Sequence, residues 1–219
     1  MVNTLMMTVT SDSNISYKHY GHDVLIISFG GLALRMGMTM FEFDSAIKKL
    51  KVDSLFLKDT KRIWYQKGIS EEYPTVESVV ELLKKYTVNY KKVICIGNSA
   101  GAFAAILFGT LLDVDQVVAF APQTLLKEDF NMKPWLKELR NMNKHKIFCN
   151  DLKEHLKNIN YTTKIDICVP ILNPIDYAHS NHIKDLKNIN IKSFKTNNHN
   201  MAGYIKNTIG IDKFLETYI

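Results

Sequence analysis

The chain has 219 residues, 46% of them hydrophobic and 23% charged, which excludes a disordered or fibrous chain and suits one domain with a sizeable core. Its formal net charge of +6 is a mild excess, and no basic run interleaves with aromatics, which argues against nucleic acid as a partner.

In chain order, residues 4–10 and 15–20 flank Ser11-Asp12-Ser13-Asn14 and read as a hairpin at a sheet edge. Residues 24–29 are an apolar run ending at Gly30-Gly31, a buried strand. Residues 43–50 read as a helix, and 54–57 as the next strand. Over 76–86, Val76, Val79, Val80 and Leu83 recur at helical spacing. Residues 92–96 form a strand, and 100–112, small and apolar all round, a buried helix. A strand at 116–120 follows. From 124 to 163 no strand signal occurs, and 134–142 and 151–158 read as short helices. Strands at 165–169 and 191–194 alternate with helices at 177–186 and 201–218. Short β-branched strands alternating with helices imply a mostly parallel sheet of six to eight strands, covered on both faces. The expected organisation is one domain, 1–219, with 124–163 as a helical insertion.

The third core strand runs into Gly97-Asn98-Ser99-Ala100-Gly101, and a helix follows at once. This is G-x-S-x-G in a strand–turn–helix setting, where a sharp turn lifts the serine above the sheet and glycines on either side permit close approach. A structural serine in a tight turn is the bland alternative. A serine hydroxyl needs a base and a group to orient that base. Asp176 lies just past the 165–169 strand and is the candidate acid, or else the cap of the following helix; Asp166 and Asp185 are worse placed. His199 follows the last strand and is the candidate base, while His179 and His182 read as surface or supporting groups. The oxyanion site would combine the Ala100 amide with that of Gly31 or Leu32. Asp59, Arg62, Trp64 and Tyr65 follow one strand end and Gln123 another. With Gly30 they are candidate pocket residues, although a packed loop with Asp59 paired to Arg62 is the plainer reading.

By motif order and element order the chain resembles the α/β-hydrolase superfamily over nearly its whole length. It is also similar to a bacterial α/β-hydrolase-like group sometimes found beside surface-polysaccharide or glycosyltransferase modules. That likeness rests on Lys58-Asp59-Thr60-Lys61-Arg62-Ile63-Trp64-Tyr65-Gln66-Lys67-Gly68, on 97–105, on Ala119-Phe120-Ala121-Pro122-Gln123-Thr124, and on Asp176-Tyr177-Ala178-His179 with the late His199. Ala102 stands where many relatives have glycine, and Thr60 where relatives often have proline. The resemblance implies the α/β-hydrolase fold and acyl chemistry more than a particular substrate.

The expected activity is that of a serine esterase acting on a small-molecule or glycan ester. Acyl transfer to a glycan or other hydroxyl and a non-catalytic binding role are the alternatives. No cofactor is implied, and His19, His22, His145 and His155 show no metal-ligand spacing. Cys95, Cys149 and Cys168 form no C-x-x-C pair, and two lie in strands, as buried thiols of a reducing compartment would. Residues 1–14 lack a leader pattern, and no apolar run approaches the roughly 18 residues of a membrane span, so a cytoplasmic location is expected. Between Lys127 and Lys164 nine Lys or Arg face five acids, with Phe130, Met132, Trp135, Leu136, Met142 and Phe148 as an apolar set. This pattern suits either a cap that is apolar toward the pocket and basic at its rim, or an ordinary solvated face.

Overall fold

The structure is a computed structural model and describes residues 12–32 and 41–219. Seven strands form one sheet: β1 (Ile15–Lys18), β2 (Val24–Phe29), β3 (Asp53–Leu57), β4 (Lys92–Asn98), β5 (Gln116–Phe120), β6 (Lys164–Pro170) and β7 (Ile189–Phe194). Their order is β1-β3-β2-β4-β5-β6-β7. Every neighbouring pair is parallel except β1, which runs antiparallel to β3 at the edge. The apolar runs are continuous because both faces are covered. Leu25, Ile27 and Phe29 enter one core, Val24 and Ile26 the other, as the two-residue period of a strand requires.

Eight α-helices are described: α1 (Asp44–Leu50), α2 (Val76–Thr87), α3 (Ala100–Leu111), α4 (Leu136–Met142), α5 (Leu152–Lys157), α6 (Pro174–Ile183), α7 (Met201–Thr208) and α8 (Ile211–Glu216). Helices α1, α7 and α8 supply Ile47, Met201, Ile205 and Leu215 to one core. The other core takes α2, α3 and the helices of the insertion. Helix α2 starts at a capping box between Thr75 and Ser78 and buries the face predicted for it. Helix α3 is buried nearly all round, and the Phe108 ring stacks on Phe29 of β2 at 5.3 Å. None of the described helices is long and apolar enough to cross a membrane.

Three expectations change. Of the hairpin, the arm at 15–20 is the edge strand β1, paired with β3, and the arm at 4–10 lies outside the described residues. The helix expected over 201–218 is two helices, broken where Gly210 takes φ +90°. The helix expected from 177 begins three residues earlier, with Asn173 as its cap and Pro174 in its first turn.

Between β5 and β6 the chain makes its long excursion: a 3-10 turn (Lys133–Trp135), then α4 and α5. The excursion closes on itself. The Leu126 amide donates to Asn150 O at 2.7 Å and the Leu152 amide to Thr124 O at 2.9 Å. The amides of Phe148 and Cys149 both donate to Gln66 Oε1, which fastens it to the loop after β3.

The topology makes a crevice. From β2 the chain winds outward to β3, whereas β4 to β7 lie on the other side of β2. Loops leaving the C-terminal ends of β2 and β4 therefore diverge, the usual ligand position in an open α/β sheet. Phe29 is in register with Gly97, so the Gly30 loop and the Ser99 turn leave the sheet side by side.

Candidate active site

Ser99 links β4 to α3 with φ 57° and ψ −117°, a conformation that non-glycine residues rarely adopt. Such geometry costs on the order of 1–3 kcal/mol and persists where its surroundings hold it. Here the Ser99 amide donates to Phe120 O at 2.8 Å. The flanking glycines are required by contact. A Cβ on Gly97 would stand 2.1 Å from Gly101 O, and one on Gly101 would stand 2.2 Å from Phe29 O. The turn is thus pressed against both α3 and the end of β2. At the start of α3, the Ala100 amide has no intrahelical acceptor and lies at the positive end of the helix dipole.

His199 lies in the loop between β7 and α7. Its Nε2 is 2.9 Å from Ser99 Oγ and its Nδ1 is 2.8 Å from Asp176 Oδ1. A carboxylate at Nδ1 favours the tautomer protonated there, which leaves the Nε2 lone pair free to accept from the serine hydroxyl. Asp176 is fully buried. It lies in the first turn of α6 rather than in the preceding loop, and Asn173 Oδ1 accepts from the amides of Ile175 and Asp176. A carboxylate in a first helical turn is favoured by the dipole.

Two further histidines lie on α6. His179 is fully buried rather than at the surface, and Thr124 N donates to its Nδ1 at 3.1 Å. Burial pushes its pKa down to about 4, with His182 and His199 adding to the effect. His182 pairs with Asp151 at 2.8 Å and ties α6 to the cap of α5.

A cavity of about 630 Å³ opens over Ser99. Gly30, Gly31 and Leu32 line one side, His199 another, and Trp135 of the insertion a third. The Trp135 and His199 ring centroids are 5.0 Å apart. The Gly31 amide donates to Glu42 Oε2 at 2.8 Å, and Glu42 lines the same cavity. Burial pushes the Glu42 carboxyl up to about 7, against the lowering effect of the Gly31 hydrogen bond. Sequence reasoning missed Glu42, whose one trace is an acid set between Phe41 and Phe43 just before a helix.

The remaining pocket candidates do not line that cavity. Asp59 is buried, and its carboxylate accepts from the amides of Lys61, Ile63 and Tyr65. Those bonds hold a loop in which Arg62, Trp64 and Tyr65 all have positive φ. Arg62 pairs with Glu138 of α4 at 2.9 Å, not with Asp59. The Tyr65 hydroxyl donates to Gly30 O and Leu57 O from behind the β2 loop. Gln123 Oε1 accepts from Trp64 Nε1 at 2.6 Å, fully buried. These residues brace the cavity's wall. Among the described residues no group of three His, Cys, Asp or Glu side chains is arranged to hold a metal ion.

No protein-family model matches the chain, and no curated protein sequence matches it. Solved structures do. A capsule O-acetyltransferase of Neisseria meningitidis serogroup A is 17% identical, with 93% of this chain and 89% of that chain covered and a TM-score of 0.66. MGS-M2, an alpha/beta hydrolase enzyme from a Medee basin deep-sea metagenome library, is 14% identical over 93% of this chain and 94% of that chain, with a TM-score of 0.62. An alpha/beta superfamily hydrolase from Oenococcus oeni PSU-1 is 17% identical over 93% and 96%, with a TM-score of 0.55. Together with the sheet order, these likenesses establish that the chain has the α/β-hydrolase fold.

Proposed function

We propose that this chain is a serine acyl hydrolase of the esterase type, with Ser99 as nucleophile, His199 as general base and Asp176 as the acid that orients it. The observation that carries the reading is the continuous relay from Asp176 Oδ1 through both ring nitrogens of His199 to Ser99 Oγ, at 2.8 and 2.9 Å. The backbone of α6, α7 and the elbow is separately held by its own backbone and capping bonds.

The chemistry follows from the positions. His199 Nε2 takes the Ser99 proton as Oγ bonds to the acyl carbon, and the carbonyl electron pair moves onto its oxygen. The Ala100 amide and that of Gly31 or Leu32 hold the oxyanion. Collapse breaks the ester C–O bond, and His199 returns its proton to the leaving alcohol. Water activated by His199 then cleaves the acyl-enzyme and releases the acid. On this reading the segment 124–163 is a cap, with Trp135 as its contact to the site, and Asp59, Tyr65 and Gln123 support the walls.

A second reading is favoured by one observation, the likeness in fold to a capsule O-acetyltransferase. There a hydroxyl of a glycan or similar acceptor would replace water in the second half-reaction, giving a new ester in place of acid. The choice depends on whether the closed pocket excludes water.

The test is hydrolysis of p-nitrophenyl esters of graded acyl length by wild type and Ser99→Ala. Turnover of the short esters should fall by roughly three or more orders of magnitude in the variant. Equal rates would sink the reading, as a non-catalytic protein would give. Adding a hydroxyl acceptor separates the two activities. New ester appearing in place of acid marks a transferase.

A further inference from the structure

The cavity beside Ser99 already contains a carboxyl group. Glu42 Oε2 accepts the Gly31 N–H at 2.8 Å, and Gly31 lies against the elbow, where an added Cβ would stand 3.1 Å from Asn98 O. A substrate's carbonyl oxygen would seek the same amide as negative charge develops on it.

Glu42 is held there by its backbone. Ser28 Oγ donates to Glu42 O at 2.9 Å. Phe41 on one side meets Phe56 at 5.8 Å between ring centroids, and Phe43 on the other meets Phe120 at 5.6 Å. Phe43 takes φ 67° as it enters α1, a left-handed conformation that turns the chain sharply at this point. With the backbone and both neighbouring rings anchored, displacing Glu42 from the Gly31 amide requires rotation of its side chain alone.

We propose that Glu42 is an internal ligand of the oxyanion site: in the resting protein its side chain occupies the Gly31 amide, and the acyl group must displace it before Ser99 reacts. The proposal rests on the reading of Ser99 as the nucleophile and takes Gly31, rather than Leu32, as the second oxyanion donor.

An ionised carboxylate makes a charge-assisted bond to the amide and repels a developing oxyanion. A protonated one does neither. Occupancy should therefore strengthen as Glu42 ionises. Among the described residues, the titratable groups on the cavity wall beside it are Asp44, which is ion-paired to Lys18, His199 and Lys206. Tyr65 lies behind the wall, its phenol held far from ionisation by burial, with Asp59 and Glu42 adding to the effect. Lys58 stands over the Phe41 ring at 3.9 Å. His199 is common to wild type and the Glu42 variants, so the effect of Glu42 is read as a ratio between proteins that share it.

The measurement is the second-order rate of labelling by a fluorophosphonate probe between pH 6 and 8.5, for wild type, Glu42→Ala, Glu42→Gln and Ser99→Ala. The phosphoryl oxygen of the probe needs the same amides as an ester carbonyl. Glu42→Ala should react faster than wild type by about tenfold or more at pH 8.5, with the gap narrowing toward pH 6, as an ionisation near neutrality requires. Glu42→Gln has nearly the same shape and no charge. It should show the same dependence of the ratio on pH, and it decides the matter if the alanine variant does not fold. A ratio flat across the range, or variants slower than wild type at every pH, overturns the proposal. If Ser99→Ala is labelled as fast as wild type, or if neither wild type nor the Glu42 variants react, the nucleophile reading fails as well.

Discussion

His199 is the residue on which the account turns, because it touches both partners. Replacing it with alanine removes the proposed base and should lower ester turnover by roughly three orders of magnitude or more, measured as kcat on a good ester. Asp176→Asn keeps the shape and loses the charge, so it should cost less and leave thermal unfolding nearly unchanged. Near-full activity in Asp176→Asn would put the acid elsewhere. His179, one turn along α6, has a different role. Above pH 6.5 it is neutral in both folded and unfolded chains and has no effect. As pH falls below 6.5 the unfolded chain takes a proton that the buried ring refuses until about pH 4. Stability should then fall by about 1.4 kcal/mol per pH unit between those values. His179→Asn offers Thr124 N an acceptor that does not titrate, and denaturant melts from pH 7 to 4.5 should show a shallower decline for it. That Ser99, Asp176 and His199 would meet could be proposed from the sequence because the sharp turn and the positions just past strand ends leave local marks. The Glu42 contact could not, because it joins positions 11 apart through a side chain whose direction only the fold decides. Asp59 was left open between a pocket role and a packed loop, and the structure shows the packed loop. A buried aspartate binding three backbone amides has the same one-letter signature as a ligand-binding one.

At the level of elements, helical spacing marked α2 and an all-round apolar composition marked α3, because their burial is simple, one face for α2 and nearly all round for α3. The start of α6 was misplaced although its signal was present. Asn173 followed by Pro174 is a cap and first-turn pair, and it carries Asp176 into the helix. The insertion is the element with most left to test. Arg62 and Arg140 are paired with Glu138 and Glu128, yet Lys61, Arg62, Lys137, Arg140 and Lys144 together line a cleft of about 520 Å³. Trp135 reaches from the N-terminal end of α4 to His199, so this basic cleft and the candidate site share one helix. If the segment caps the site, kcat/KM should favour an anionic ester over a matched neutral one. That preference should fade at high salt, where screening shortens the Debye length to about 3 Å at 1 M. It should also fade when Lys133, Lys137 and Arg140 are changed to Gln. Identical kcat/KM for the two esters would leave the insertion a structural role alone.

Across the whole molecule, the parallel sheet could be read from short continuous apolar runs, which only a sheet covered on both faces produces. Strand order could not, since no residue pattern states which neighbour β2 takes on each side. That order brings together Ser99 and His199, 100 positions apart, at the C-terminal edge of the sheet. The central claim is that this convergence makes Ser99 a nucleophile. Its most direct test is to treat the protein with a fluorophosphonate at neutral pH, digest it, and locate the added mass by peptide sequencing. The account predicts one adduct, on Ser99, absent from Ser99→Ala and formed far more slowly in His199→Ala. An adduct on another residue, or labelling of Ser99→Ala at the wild-type rate, would contradict it.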